Sequence, residues 1–238
     1  MAAATYHERR GQLLTYFDRT AVDAWKRLTS DAPVSGIRAT VRAGRDTMRA
    51  TLLSWLPDDL AGVRILDAGC GTGALAVAAA ARGAEVLAVD LSPTLIALAR
   101  ERAEAHRVPG SVTFQAGDML DPALGSFDHV VAMDSLIHYR APDVARALAG
   151  LAARTRRSIL FTFAPRTPAL SVMHAVGRLF PRGDRAPAIE PVGARRLSHL
   201  IGSEHDLARW RQGRTQRIAR GFYTSQAQEL VRQGDPPG

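Results

Sequence analysis

The stretch "ILDAGCGTGALAV", residues 65–77, runs from branched apolar residues through Asp67 into three alternating glycines, then into an alanine-rich segment. Branched residues favour a buried strand, alanines favour a helix, and glycines between them let the backbone turn tightly and lie close against a ligand. A strand that feeds a helix through such a loop commits the chain to an α/β unit. The following hundred residues repeat it: strand-like "VRILDAG", "EVLAVDLS", "VTFQAGDM", "FDHVVAMD" and "SILFTFAP" alternate with helical "ALAVAAAARG", "PTLIALARERAEAHR" and "PDVARALAGLAART". Short apolar strands separated by helices predict a doubly wound parallel sheet covered on both faces. Its ligand belongs at the carboxyl ends of the strands.

The flanks differ in character. From Tyr6 to Trp55 the pattern is amphipathic and helical ("LLTYF", "AVDAWKRL", "IRATVRAGRDTMRATLLSWL"), broken at Pro33 and Gly36, which predicts a helical arm over residues 1–60 before an α/β domain over 61–232. After Pro165 the segment "RTPALSVMHAVGRLFPRGDRAPAIEPV" interrupts the rhythm. We expect residues 166–192 to form an insertion over the carboxyl edge of the sheet, a substrate lid. The chain resumes with a helix in "GARRLSHLIGSE" and a strand pair in "ARWRQGRTQRIARGFYTSQAQELVR", and residues 233–238 should fray.

At 238 residues the chain can bury one large α/β core. Its net charge of +8 comes almost wholly from arginine and draws acidic partners. Cys70 is the single cysteine, which excludes an internal disulfide and fits a reducing cytosol. Charges interrupt any apolar run near the start, and the run from Ala74 to Ala81 is too short to span a bilayer. The expectation is a cytoplasmic protein with at most peripheral membrane association.

The acids at the strand ends specify a ligand. The spacing of Gly69, Gly71 and Gly73 departs from the dinucleotide G-x-G-x-x-G, and Asp67 would repel a pyrophosphate but can accept an ammonium. Asp90 ends the second strand in "VDLS", beside Leu91 and Ser92, where a carboxylate can accept hydrogen bonds from both ribose hydroxyls. Asp118 in "AGDM" can take an adenine amino group while Met119 packs on the ring face. Ammonium, ribose and adenine without phosphate describe S-adenosylmethionine. Cys70, inside the glycine loop, reads as a small packed residue and not a nucleophile.

With "LDAGCGTG", "VDLS" and "AGDM" in that order at strand ends, the chain resembles the class I S-adenosylmethionine-dependent methyltransferases, whose sheet is Rossmann-like and doubly wound. At the fourth strand, "AMDSLIHYRAPD" would project Asp134, His138 and Tyr139 over the donor site. The Asn/Asp-Pro-Pro-aromatic run with which nucleic-acid amino-methyltransferases grip a flipped base is missing there, so no nucleic-acid partner is expected. "DSLIHY", "FAPRTPAL" and "GRLFP", together with the arm stretches "YFDRTAVDAWKRLTSD" and "VRAGRDTMRATLLSWL", resemble the magnesium-protoporphyrin IX O-methyltransferases of bacteriochlorophyll and chlorophyll synthesis.

That resemblance implies methyl transfer from S-adenosylmethionine, leaving S-adenosylhomocysteine, to one propionate of magnesium-protoporphyrin IX. It implies His138 as the catalytic residue, either donating a hydrogen bond to the propionate or removing its proton. Tyr139, Arg166, Tyr16 and Trp25 become candidates for substrate contact, and Arg42 for the cofactor carboxylate. Thr29 stands near the position where plant and cyanobacterial relatives carry an arm tyrosine, so that role is not carried over and the photosynthetic-bacterial branch is the closer likeness. The magnesium belongs to the porphyrin, so no enzyme-held metal is expected; an upstream magnesium chelatase is a candidate partner. Two other readings stay open. One is a methyltransferase of another small acid, phenol or quinone precursor, and the other a non-catalytic porphyrin carrier.

Overall fold

The computed structural model describes residues 6–19, 36–166 and 189–234. Five parallel strands, β1 (Arg64–Ala68), β2 (Glu85–Asp90), β3 (Ser111–Ala116), β4 (Phe127–Ala132) and β5 (Thr155–Phe163), are extended by an antiparallel hairpin, β6 (Trp210–Arg220) and β7 (Tyr223–Arg232). The order across the sheet is β3-β2-β1-β4-β5-β7-β6. The chain reverses its direction of growth between β1 and β4, and a crevice opens where their carboxyl ends part. The expected strand pair is therefore present, and its β7 runs against the parallel sheet beside β5.

Side chains alternate across the strands into two cores. Leu66, Val130 and Ile159 are fully buried on the face covered by α5 (Ala141–Ala152) and α6 (Ala194–Ser203). Ile65, Val131 and Leu160 are fully buried on the other, under α2 (Gly36–Leu53) and α3 (Ala74–Ala80). This two-sided burial is why the strands read as near-continuous apolar runs. α4 (Pro93–Glu104) starts where Ser92 Oγ accepts from Leu95 N at 3.2 Å with Pro93 in the first turn, a serine cap followed by a proline that needs no donor there.

α2 brings Gly44, Met48, Thr51 and Leu52 to one buried stripe at helical spacing. Gly44 is required by contact: a Cβ there would lie 2.5 Å from Cδ1 of Tyr223, so α2 seats against β7 only because that position is bare. The arm's first helix, α1 (Tyr6–Arg19), meets the rest of the molecule at the carboxyl ends of the strands. Among the described residues no helix is long and apolar enough to cross a membrane. Trp25, Thr29, the interior of the 166–192 insertion, the side chain of Tyr16 and most of the C-terminal tail lie outside the described residues.

Candidate active site

A cavity at the carboxyl ends of β1 to β4 encloses about 700 Å³, solvent at its mouth included. The loop after β1 forms one wall. Gly69 N and Cys70 N both donate to Val89 O, at 2.8 and 3.0 Å, which ties the loop to β2. Gly69 sits at φ 83°, and a Cβ on it would fall 2.3 Å from Cβ of Ser135, so the loop can approach the β4 turn only as glycine. Gly71, at φ 55°, has no atom within 4 Å of where a Cβ would stand. A ligand can lie directly against that peptide.

Asp90 closes β2 as a cradled acceptor. Its Oδ2 accepts from Gly71 N at 2.9 Å and its Oδ1 from Ser92 N at 3.0 Å. Burial raises its pKa above the usual carboxylate value, against the opposing pull of those N–H groups. Each oxygen keeps lone-pair capacity toward the cavity. Leu91, Leu95 and Met119 add apolar surface beside it.

Asp118, after β3, is occupied by the arm. Oδ1 accepts from Tyr6 Oη and from Leu120 N, both at 2.9 Å, and Oδ2 accepts from Arg10 at 2.6 Å. Burial works to raise its pKa, but the Leu120, Tyr6 and Arg10 donors together hold it below the ordinary value. Tyr6 stacks on Tyr139 with ring centroids 5.0 Å apart. Burial above all pushes both phenols up, reinforced at Tyr6 by Tyr139 and then the Asp118 charge and at Tyr139 by Asp118, so they enter the site as neutral hydroxyls. Arg9 Nε donates to His138 O at 2.9 Å and its guanidinium meets Glu190 at 3.3 Å, which braces the 136–138 turn from α1.

Beyond β4, Asp134 adopts a left-handed conformation, φ 54°, that few non-glycine residues visit. Four side chains gather on its carboxylate: Arg45 at 2.8 Å, Tyr223 Oη at 3.1 and 3.2 Å, Thr162 Oγ1 at 3.2 Å and Ser225 Oγ at 3.3 Å. Its own backbone N donates to Thr162 Oγ1 at 2.7 Å. Donors from α2, β5 and β7 thus hold the strained turn in place.

The expected site residues divide under this geometry. Gly69, Gly71, Asp90, Leu91, Asp118, Met119, Asp134, His138 and Tyr139 all line the cavity. Asp67 does not: it is 2% exposed, its Oδ2 meets no donor among the described residues, and burial with the neighbouring Asp90 charge pushes its pKa up to about 7. Cys70 and Gly73 stand behind the loop, the thiol's pKa raised by burial and by Asp67 and Asp90, and Gly73 against the ring of Phe114. Ser92 is spent on capping α4. Arg166 is exposed and outside the lining, with its backbone N donating to Val192 O at 2.9 Å. Arg45, and not Arg42, reaches the cavity from α2.

Tyr6, Leu13, Arg45, Leu95, Gly117, Met133 and Ser135 were not singled out from the sequence, yet they line the site. Gly117 and Ser135 fall inside the quoted "AGDM" and "DSLIHY" runs and could have been found there. Arg45 shares "VRAGR" with Arg42, and only the rotation of α2 separates them. Nothing local marks Tyr6, whose partner Asp118 is 112 residues away.

Residues 132–232 match the family model described as magnesium-protoporphyrin IX methyltransferase C-terminus, and residues 65–158 match a methyltransferase domain. The Rhodobacter capsulatus protein named magnesium-protoporphyrin O-methyltransferase is 51% identical over 225 residues, 94% of this chain and 97% of that one. A ubiquinone biosynthesis O-methyltransferase of Xanthomonas oryzae pv. oryzae is 35% identical over 173 residues, 70% of either chain. The crystal structure of magnesium protoporphyrin IX methyltransferase from Synechocystis with bound SAH superposes with a TM-score of 0.80 at 27% identity, covering 94% of this chain and 100% of that one. Fold, cavity and near full-length likeness agree, and the chain belongs to the magnesium-protoporphyrin O-methyltransferase family.

Proposed function

We propose that this protein transfers a methyl group from S-adenosylmethionine to a propionate carboxylate of magnesium-protoporphyrin IX, giving its monomethyl ester, in bacteriochlorophyll biosynthesis. The observation that carries the reading is that the family's C-terminal model begins at residue 132 and takes in the wall holding Asp134, His138 and Tyr139. That wall is where an acceptor would meet the donor. A second reading, a methyltransferase of a quinone precursor, rests on the shorter, weaker likeness to a ubiquinone biosynthesis O-methyltransferase.

The residues present suit the donor. Bound S-adenosylmethionine supplies an electrophilic methyl group on a sulfonium that is its own leaving group. Asp90 offers two oxygens to a ribose, the bare Gly71 peptide admits close approach, and Leu91, Leu95 and Met119 give an apolar slot for adenine. Asp118 keeps room for one further N–H on Oδ2. The paired charges of Arg45 and Asp134 match the carboxylate and ammonium of the methionyl group, a role the sequence assigned to Arg42 and Asp67.

Placement is the main task of the protein, because an ionised carboxylate needs no base to attack a sulfonium methyl. A propionate resembles a glutamate side chain, with a reference pKa of about 4.3, and is ionised at neutral pH. His138, 8% exposed and on the cavity wall, orients one carboxylate oxygen toward the methyl carbon by donating a hydrogen bond. Tyr139 presents a neutral hydroxyl beside it. Peripheral membrane attachment and delivery by a magnesium chelatase belong to the same proposal.

The test is incubation with magnesium-protoporphyrin IX and methyl-labelled donor, with the product identified by mass. His138→Gln keeps an N–H donor without a usable base and should retain more turnover than His138→Ala. Equal loss in both variants with both ligands still bound, and recovery of the Gln variant alone at high pH, would reinstate proton removal.

A further inference from the structure

The carboxylates Asp67, Asp90, Asp118 and Asp134 stand at the carboxyl end of the sheet, and what neutralises them divides them into two pairs. Asp118 is held by Arg10 at 2.6 Å and Asp134 by Arg45 at 2.8 Å. Asp67 and Asp90 meet no cation among the described residues. Asp90, on the cavity wall, accepts backbone N–H groups, those of Gly71 and Ser92 among them. Asp67, behind the glycine loop, accepts from the Ala76 N–H, and its Oδ2 meets no described donor.

Two buried carboxylates that repel each other with no cation between them do not both ionise at neutral pH. Backbone donors decide which one keeps the proton. Both oxygens of Asp90 accept an N–H, whereas burial and the Asp90 charge push Asp67 up to about 7. Nothing else packed on Asp67 supplies the missing charge. Its partners in register on β2 and β4 are Ala88 and Val131, and α3 carries no ionisable side chain. Cys70, in the loop, stays a neutral thiol, and Arg45 of α2 is engaged by Asp134 beyond β4.

S-adenosylmethionine and S-adenosylhomocysteine share an ammonium and a carboxylate and differ by one charge at sulfur. As the C–S bond breaks and a C–O bond forms, the sulfonium and the acceptor carboxylate become a neutral thioether and a neutral ester, with no proton taken up or released by the bond changes. We propose that Asp67 and Asp90 form an acidic pair whose missing cation is the sulfonium: the pair gives up its proton when S-adenosylmethionine enters the cavity and regains one when the thioether replaces it. The site then selects methyl donor over product by charge, and more strongly as pH rises. Across buried protein, a unit charge about 8 Å distant changes the proton affinity of a carboxyl on the order of thirtyfold. The proposal rests on the use of S-adenosylmethionine given above and is independent of the acceptor.

The experiment is titration calorimetry of the full chain with each ligand, in pairs of buffers that differ in ionisation enthalpy, which counts the protons released on binding. At about pH 6.5, S-adenosylmethionine should release roughly half a proton more than S-adenosylhomocysteine. The ratio of their affinities should rise about five- to tenfold from about pH 5.5 to about pH 7, a window below that in which an α-amino group titrates. Asp67→Asn should bind both ligands, release no extra proton and hold the ratio flat across that window. A purely structural role for Asp67 would weaken both ligands alike and leave the slope in place. His138→Gln should keep the extra proton and the slope, which assigns them to the acidic pair. Equal proton release with both ligands in wild type, or an unchanged slope in Asp67→Asn, overturns the proposal. Failure of wild type to bind either ligand would overturn the use of S-adenosylmethionine together with it.

Discussion

Asp67, near the end of β1, and Asp134, just past the end of β4, sit at the same edge of two neighbouring strands, yet their surroundings are opposite. Asp67 is sealed behind the glycine loop with one oxygen that no described donor reaches, and the Ala76 backbone N–H relieves it only in part. Asp134 collects an arginine, a tyrosine and two hydroxyls from α2, β5 and β7. In sequence, "LDAG" and "AMDS" look like equivalent strand-end acids. A buried carboxylate is tolerated as an ion only when donors come to it, and donors for a group at a strand end come from other elements.

The most severe way to break this contrast is Asp134→Ala. Arg45, Tyr223 and two hydroxyls would lose their common acceptor, and a left-handed backbone would lose a residue type that tolerates it. We expect a loss of about 3–5 kcal/mol in urea unfolding. A loss below 1 kcal/mol would mean that the network does not hold α2 to the sheet.

Next is Asp90→Ala, expected to weaken S-adenosylmethionine binding by about 2–4 kcal/mol in calorimetry, because two ribose hydroxyls lose a charged acceptor. Porphyrin affinity should change far less. Equal weakening of both ligands would remove Asp90 from the donor side.

Asp67→Asn should act in the other direction. The folded carboxyl titrates near pH 7 against 3.8 for its unperturbed value. Between those values the folded state binds the proton that the unfolded state has released, so this group lowers stability progressively as pH rises from about 4 to 7, and the penalty persists above. Three units correspond to at most about 4 kcal/mol, and desolvating the amide of the variant offsets part of that. We expect a gain of about 2 kcal/mol at pH 8 that fades toward pH 4, read from thermal unfolding at both. A gain independent of pH would show that Asp67 keeps its ordinary pKa in the fold.

The smallest effect is that of Tyr6→Phe, which removes one of three described donors to Asp118 and keeps the ring stacked on Tyr139. About 1 kcal/mol should be lost, with the pKa of Asp118 rising in NMR titration as its support thins. An unmoved Asp118 would place α1 away from the cavity in solution.

The β1–β2 side of the cavity was readable because its partners are close in the chain or on adjacent strands. Gly71 and Asp90 meet across the β1–β2 pair, and the Ser92 N–H that supports Asp90 is two residues on. The arm side was not readable to the same depth. Arg42 and Arg45 differ by less than one turn of α2, and the choice between them follows from how Gly44 seats on Tyr223. His138 and Tyr139 were found through likeness to a family, while the Tyr6 that stacks on Tyr139 carries no local mark.

The sequence by itself determined the α/β class, the succession of strands and helices, and the glycine loop that walls the cavity, since period-two and 3.6-residue patterns and glycines at positive φ are local properties of the chain. Tertiary structure alone decided that Asp67 lies behind the cavity wall while Asp90 and Asp134 line it, that Arg45 and not Arg42 reaches the cavity, and that α1 crosses the site to Asp118. Those outcomes depend on strand register and helix rotation. A shift of one residue turns a strand's side chain to the opposite face and a helix's by about 100°, and that phase is set by packing partners a hundred residues away.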